Sequence, residues 1–378
     1  MVPNGWSVVK LGDVLTLGSG DTKPTDLQKE FSDDSPYPVY GGNNIMGYSS
    51  QKNSSDSVIL IGRVGEYCGV TRYIDKACWI TDNALYTKSV SSDIDKEYLV
   101  SKLKKFDLSR LRNKGGQPLV SQKPIYAVKL PMPPLPEQRK IAKILSTWDK
   151  AISTTEKLIE TSKQQKKALM QQLLTGKKRL VNPETGKAFE GEWEETSLAT
   201  WLLEYKEKSL VQDQYRVFTS SRSGLVPQDE YFGNSRIADR KNIGFHVLPP
   251  NHMTYRSRSD DGFFTFNLFK QSENGIISHY YPVFTSKGAN EFFIALFEQY
   301  RGVFGKHSVG TSQKVLSFNA LKSIKFKIPN VAEQQKIALV LTAADKEIEV
   351  LEAKLTHFKQ EKKALMQQLL TGKKRVVI

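Results

Sequence analysis

Cysteine is nearly absent: Cys68 and Cys78 are the only two in 378 residues. That is too few for a disulfide framework or a cysteine-rich zinc site, and a reducing compartment is the simplest setting. Histidine is scarce as well, and His246, His252, His279, His307 and His357 show no zinc-ligand spacing. There is no run of 18 apolar residues, and the opening MVPNGWSVVKLGD lacks the charged-then-apolar pattern of a signal peptide. A soluble, intracellular protein is therefore expected. Motifs of chemistry are missing too. No GxxxxGK[ST] phosphate loop occurs, and no NPP or DPP followed by Tyr or Phe, the mark of amino methylation. Glu204-Tyr205-Lys206 matches the end of a nuclease-like ExK pattern, but no Pro-Asp dipeptide exists, so it reads as the surface of an amphipathic helix. The chain is expected to carry no chemistry of its own.

What the sequence does have, it has twice. Lys166 to Arg179 and Lys362 to Arg375 both read KKALMQQLLTGKKR, an offset of 196 residues. Carried back without a gap to Pro136 and Ala332, the alignment has 26 identities in 44 pairs. Apolar letters in each copy recur at steps of three and four (Ile141, Leu145, Trp148, Ile152, Ile159; Ile337, Leu341, Ile348, Leu351, Leu355). This spacing predicts one long helix per copy with a coiled-coil seam. Thr155, Ser162, Lys166 and Lys362 are polar intruders in it. Pro136 suits a first helical turn, Glu137 and Glu333 complement the helix dipole there, and Gly176 and Gly372 stand where left-handed caps belong, beside Lys-Lys-Arg. Some 40 residues span about 60 Å. A lone helix of that length needs a partner for its seam, and the other copy is the obvious one; separate packing on two domains is the alternative.

The net charge of +15 is spread as +3 over 1–135, +7 over 136–179, −4 over 180–195, +6 over 196–331 and +3 over 332–375. A basic chain of this kind is a candidate for a polyanion partner, although basic helices are also often just solvated faces. Each repeat runs from a tryptophan-led start (Gly5-Trp6; Glu192-Trp193) through a variable region to its helix. Leu180 to Glu192 forms a polar, turn-rich linker between them. A chain of this form is a cyclic arrangement opened at one point, which predicts a pseudo-two-fold molecule with antiparallel helices.

The first variable region holds short strands and glycine turns: Tyr37–Tyr40, Gly41-Gly42-Asn43-Asn44, an apolar run Ser57–Ile61, the turn Gly62-Arg63-Val64-Gly65, and Trp79–Ala84 (WITDNA). Arg63, between two glycines at a strand end, is placed to approach a phosphate or a guanine edge. The second region shares almost no letters with the first. It carries Arg216, Arg222, the RIADRKN run 236–242, and Arg256 and Arg258 among Ser, Thr and Tyr, with Asp260-Asp261-Gly262 read as a turn before a strand to Leu268. Both regions close alike, Gly115–Ser121 aligning with Thr311–Ser317 and matching Gln117 with Gln313. Glutamine can read adenine bidentately or simply hold a loop together.

The PEQ and AEQ starts of the two helices (Leu135–Gln138, Val331–Gln334), the paired KKALMQQLLTG ends, the WITDNA segment and the GRVG turn together resemble the specificity subunit of type I restriction-modification systems. The resemblance covers almost the whole chain. It implies an α+β fold with two target recognition domains, each with a twisted sheet, at 1–135 and 196–331. Spacer helices at 136–179 and 332–378, connected through a linker at 180–195, would form an antiparallel coiled coil. It implies DNA binding without catalysis: double-stranded DNA read as an asymmetric bipartite target, and adenine methylation directed in two methyltransferase (modification) subunits that carry S-adenosylmethionine. A restriction (motor-nuclease) subunit would add ATP and Mg, and the setting would be the prokaryotic cytoplasm, at the nucleoid, with no membrane. The chain itself would hold no cofactor or metal. The resemblance, anchored by one-turn docking geometry, implies an asymmetric target of about three to four plus about four to five specified base pairs around a non-specific gap of about five to eight. The residues chosen for DNA contact are Arg63, Asn113, Lys114 and Gln117 in the first domain, and Arg222, Arg256, Arg258, Lys306 and Gln313 in the second. A coiled-coil scaffold that binds only proteins is the competing reading.

Overall fold

In the computed structural model the described residues are 2–113, 115–221, 224–232 and 241–377. In chain order the first repeat contains β1 (Ser7–Lys10), α1 (Leu11–Val14), β2 (Leu15–Ser19), β3 (Tyr37–Tyr40), β4 (Ile45–Ser49), β5 (Val58–Gly62), β6 (Thr71–Ile74), β7 (Trp79–Ile80), β8 (Ala84–Val90), α2 (Lys96–Phe106), α3 (Gln122–Ala127), β9 (Lys129–Met132) and the long α4 (Leu135–Leu173). The second contains β10 (Glu194–Ser197), α5 (Leu198–Trp201), β11 (Leu202–Tyr205), β12 (Arg216–Ser221), β13 (Gly224–Pro227), α6 (Gln228–Phe232), β14 (His246–Leu248), β15 (Met253–Tyr255), β16 (Arg258–Ser259), β17 (Phe266–Leu268), β18 (Gly275–Ile277), β19 (Val283–Ser286), α7 (Asn290–Gln299), β20 (Lys314–Val315), α8 (Phe318–Ser323), β21 (Lys325–Ile328) and the long α9 (Val331–Leu369).

Two compact units result: Met1–Lys157 with Ala353–Ile378, and Leu158–Glu352. Each therefore contains the start of one long helix and the end of the other. The first unit holds a four-stranded sheet, β2-β8-β5-β6, and a three-stranded one, β4-β3-β7. The second holds β11-β19-β15-β17 and β13-β12-β18-β14. Every residue of β5 is buried, as its uninterrupted apolar run requires of a strand covered on both faces. In both units the strand next to the long helix pairs with the strand that opens the repeat, β1 with β9 and β10 with β21. The Glu204-Tyr205-Lys206 stretch is not helical: Leu202–Tyr205 is strand β11, with Leu202 buried and Glu204 across from Phe284 of β19. The strand after Asp260-Asp261-Gly262 is shorter than expected, beginning only at Phe266. The Cys68 and Cys78 thiols are free and buried, and burial pushes Cys78 up to about 11.

The long helices run antiparallel within each unit, as their ion pairs record. In the second unit Lys163 pairs with Glu352 at 2.7 Å and Lys166 with Asp345. In the first, Lys359 pairs with Glu156 at 2.8 Å and Lys362 with Asp149. Three of the polar intruders in the seam are thus accounted for: both lysines have a carboxylate on the facing helix, and buried Thr155 donates its hydroxyl to Ala151 O at 2.8 Å. Gly176 and Gly372 both adopt φ +69°, the left-handed cap that favours glycine. A Cβ on Gly372 would come within 2.5 Å of Pro3, so that cap also needs glycine for space.

The helix starts are fixed by their glutamate and glutamine. Glu137 and Glu333 are fully buried, and each is gripped in a fork by the arginine that follows the other helix's cap. Arg375 donates to both oxygens of Glu137 at 2.7 Å, and Arg179 to those of Glu333 at 2.6 and 2.8 Å. Gln138 donates to Pro133 O and Asp93 O and accepts from Asp95 N, the residue that caps α2. Gln334 repeats this with Pro329 O and Ala289 N, just before α7. The Pro-Glu-Gln motif is therefore a junction between long helix, cap arginine and domain helix.

The cores differ in kind. That of the first unit is mainly aliphatic, with Ile59, Ile61, Leu99, Leu103, Ile141 and Leu369 among its members. That of the second is aromatic, built on Tyr255, Phe284, Phe292, Phe293, Phe297 and Phe304. Where the second has buried Leu296, the first has Lys102, whose Nζ donates to Leu370 O at 2.6 Å and lies 4.7 Å from the Trp6 ring; burial lowers it to about 8.

Candidate nucleic-acid interface

In the first unit three turns converge. The chain leaving β5 makes the turn Gly62–Gly69, in which a Cβ at Gly62 would lie 2.2 Å from Tyr67 O and 2.6 Å from Gly42 O. Only glycine allows the Gly41-Gly42-Asn43-Asn44 turn that close. Arg63 N donates to Asn83 O at 2.9 Å, which ties in the WITDNA loop, and Arg72 donates to Asn43 Oδ1 at 3.0 Å. The loop 113–120 joins through the bridge Val64–Leu119, flanked by Gly65 N to Pro118 O at 2.8 Å and Val120 N to Arg63 O at 2.9 Å. Arg63 donates from Nη1 to Ser19 Oγ at 3.1 Å and lines a hollow of about 380 Å³ with Lys123 and Tyr126.

The chosen residues take different parts here. Arg63 and exposed Gln117 belong to adjoining edges. The Asn113 side chain is committed to its own loop, donating to Gly115 O and Gln117 O and accepting from Leu119 N at 2.8 Å. Lys114 lies outside the described residues. Asn43, Asn83 and Lys123 are exposed residues of the same surface that sequence reasoning passed over. They come from turns far apart in the chain, and nothing in their spacing signals the convergence.

The second unit builds its edge on the same scaffold. Leu316 N donates to Ser257 O at 2.9 Å, as Val120 N does to Arg63 O, and β16 pairs with β20 through Arg258–Val315, as Val64 meets Leu119. Arg63 thus corresponds to Ser257, and Arg256 and Arg258 bracket that position. Both arginines are exposed; Arg258 stacks 5.1 Å from the Tyr280 ring, which holds a cation in place without neutralising it. Arg256 lines a hollow of about 590 Å³ with Thr219, Ser220, Ser221, Tyr231, Phe232 and Tyr281. Gln313 is exposed on the facing loop, and Lys306 is exposed on the short helix Phe304–His307. Arg222 and residues 236–240 lie outside the described residues. Arg216 is spent, held by Asp229 and Glu230 at 3.0 and 2.7 Å. Among the described residues no group of three or more His, Cys, Asp or Glu is placed to hold a metal, and no helix is long and apolar enough to cross a membrane.

Two cationic, donor-rich edges on one scaffold suit nucleic acid. Comparison with known proteins decides the family. Residues 3–164 and 176–359 match the type I restriction modification DNA specificity domain. The chain belongs to this family. It is a type I specificity subunit, the non-catalytic component of such an enzyme. It is 26% identical to the type I restriction enzyme MjaVIII specificity subunit of Methanocaldococcus jannaschii, over 99% of this chain and 94% of that one. It is likewise 26% identical to the putative MjaX specificity subunit of the same organism, over 84% and 76%. The crystal structure of the type I restriction-modification S subunit from M. genitalium matches with a TM-score of 0.67, covering 98% of this chain and 99% of that one at 15% identity, and so shares the fold. The specificity subunit thus has the α+β architecture of two β-containing domains joined by packed long helices.

Proposed function

We propose that this specificity subunit reads an asymmetric, bipartite DNA sequence, one half with each recognition domain (1–135 and 196–331), and so directs adenine methylation by partner subunits. The observation that carries this reading is the shared edge: one strand-and-loop scaffold occurs in both units, bearing different side chains. A common frame with unlike letters suits two readers of unlike half-sites. Helices 136–179 and 332–378, with the linker 180–195, serve as the spacer. Two methyltransferase subunits supply S-adenosylmethionine, and a restriction subunit supplies ATP- and Mg-dependent translocation and cleavage, in the cytoplasm of a prokaryotic cell. Arg63, Lys114, Gln117, Arg222, Arg256, Arg258, Lys306 and Gln313 contact DNA, and Asn113 shapes its own loop.

The test is a map of methylated adenines in cells with and without this gene, its neighbours retained. A gapped, asymmetric motif that vanishes with the gene is expected. Its absence, with an active methyltransferase present, favours a scaffold that binds only proteins.

Two substitutions refine the reading. Arg258→Ala is expected to relax one base position at a cost of about 1–3 kcal/mol, whereas Lys306→Ala weakens all sequences alike and flattens the salt dependence. Binding of a panel of singly altered targets at several salt concentrations separates the two effects. Inserting a helical turn in each long helix is expected to change the gap and leave both half-sites intact, as read from the same methylation map.

A further inference from the structure

On an edge that faces DNA, a carboxylate is repelled by phosphate and is useful only where it meets a donor. Both edges have one, at the same place. In the first unit Val64 bridges to Leu119 and Gly65 N donates to Pro118 O at 2.8 Å, and Glu66, the next residue, enters the turn beside the loop that carries Gln117. In the second, Arg258 and Ser259 pair with Val315 and Lys314, and the next step sets Asp260 across from Gln313. There Gln313 Nε2 donates to Asp260 Oδ1 at 3.4 Å. All four residues are exposed. The loops themselves are dissimilar: Asn-Lys-Gly-Gly-Gln-Pro from 113 and Val-Gly-Thr-Ser-Gln-Lys from 309 share only the glutamine. An acid one residue past the last cross-strand contact and a glutamine on the facing loop thus recur at matched positions of two regions that agree in little else, and in the second unit the two are hydrogen-bonded.

The chemistry of the pair is specific. In the major groove the base-borne donors are the exocyclic amines of adenine and cytosine, and a carboxylate accepts from such an amine. A glutamine that gives one N–H to a neighbouring carboxylate keeps its oxygen and its second N–H, the pairing set for N6 and N7 of adenine. We propose that Glu66 with Gln117, and Asp260 with Gln313, are matched reading pairs, each specifying one amine-bearing base in its own half of the target. The acid both accepts from that amine and orients the amide. The inference rests on the bipartite reading above.

The experiment maps methylated adenines made by the full chain in its complex, comparing wild type with Glu66→Gln, Gln117→Leu, Asp260→Asn and Gln313→Leu. Discrimination is expected to fall tenfold to a hundredfold, by order of magnitude, at one position per variant. The Asp260 and Gln313 variants should relax the same position in one half, and the Glu66 and Gln117 variants the same position in the other. The base lost should be adenine or cytosine, and the map shows which. An unchanged motif overturns the proposal, as does relaxation of different positions by the two members of a pair. So does a uniform rise in methylation, which would make the acid a mere repulsive charge. If Asp260→Asn abolishes methylation altogether, Asp260→Glu decides: a motif kept supports the pair, and one lost overturns it. A wild-type chain that yields no motif removes the bipartite reading and this inference together, whereas a wild-type motif untouched by the variants removes the inference alone.

Discussion

Arg179→Ala is expected to lower the unfolding free energy of the second unit by about 3–5 kcal/mol, because it leaves a buried carboxylate without its cation. Glu333 is 1% exposed and Arg179 is 23% exposed, so solvent offers little in exchange. The Trp193 indole also donates to that carboxylate, at 3.1 Å. Adding Glu333→Gln should recover part of the loss at pH 7, since an uncharged amide costs less to bury than an unpaired carboxylate. Urea unfolding of wild type and both variants at pH 7 checks each step. A double variant no more stable than Arg179→Ala alone would mean that the fork contributes packing and not charge. Arg375→Ala, whose side chain is 44% exposed, should cost less in the first unit.

The second large effect belongs to the aromatic core. Phe297 has no exposed surface, and its ring meets Phe266 at 4.5 Å, Phe304 at 5.6 Å and Phe293 at 6.1 Å. Phe297→Ala is expected to cost about 3–5 kcal/mol through lost transfer energy and the cavity left behind. Those rings border the frame that carries Arg256 and Arg258: Phe266 belongs to β17, which pairs with β15, and Tyr255 at the end of β15 bonds Leu316 O at 2.9 Å. Phe297→Leu should cost less, because a large apolar group still fills most of the site. Differential scanning calorimetry compares these with Leu103→Ala, the corresponding aliphatic site of the first unit, which is expected to lose about 3–5 kcal/mol as well. A destabilisation below about 1 kcal/mol for Phe297→Ala would show that the cluster repacks.

These two sites also show where the sequence was legible. The long helices could be read because their signal is local and occurs twice: apolar spacing, glycine caps and an ungapped 196-residue shift. The cap arginines and starting glutamates were legible only as dipole partners of their own helices. Their real partners are 154 and 238 residues away, and no local pattern records that pairing. The same limit hid Lys102, a cation in a helix that reads as amphipathic until its carbonyl partner 268 residues on is known. In the recognition regions Gln117 and Gln313 could be matched because the 196-residue shift still holds there. Glu66 and Asp260 could not, because across the variable regions the structural offset becomes 194 and the surrounding letters disagree. Asn113 was legible as a polar loop residue, but whether an amide faces outward or into its own turn depends on backbone geometry that the letters do not carry.

The ion pairs between the long helices have one more property. Lys163–Glu352 becomes Lys359–Glu156 when both members are shifted by 196 residues, and Lys166–Asp345 becomes Lys362–Asp149. The helix sequence is a charge palindrome: each copy carries both halves of every contact, in the order an antiparallel twin requires. A change made in both copies at once therefore alters two contacts, and a change made in one copy alters one. Exchanging the charges of Lys166 and Asp345 alone keeps that contact complementary while ending the interchangeability of the copies, converting a self-matching helix into a pair of strictly complementary strands.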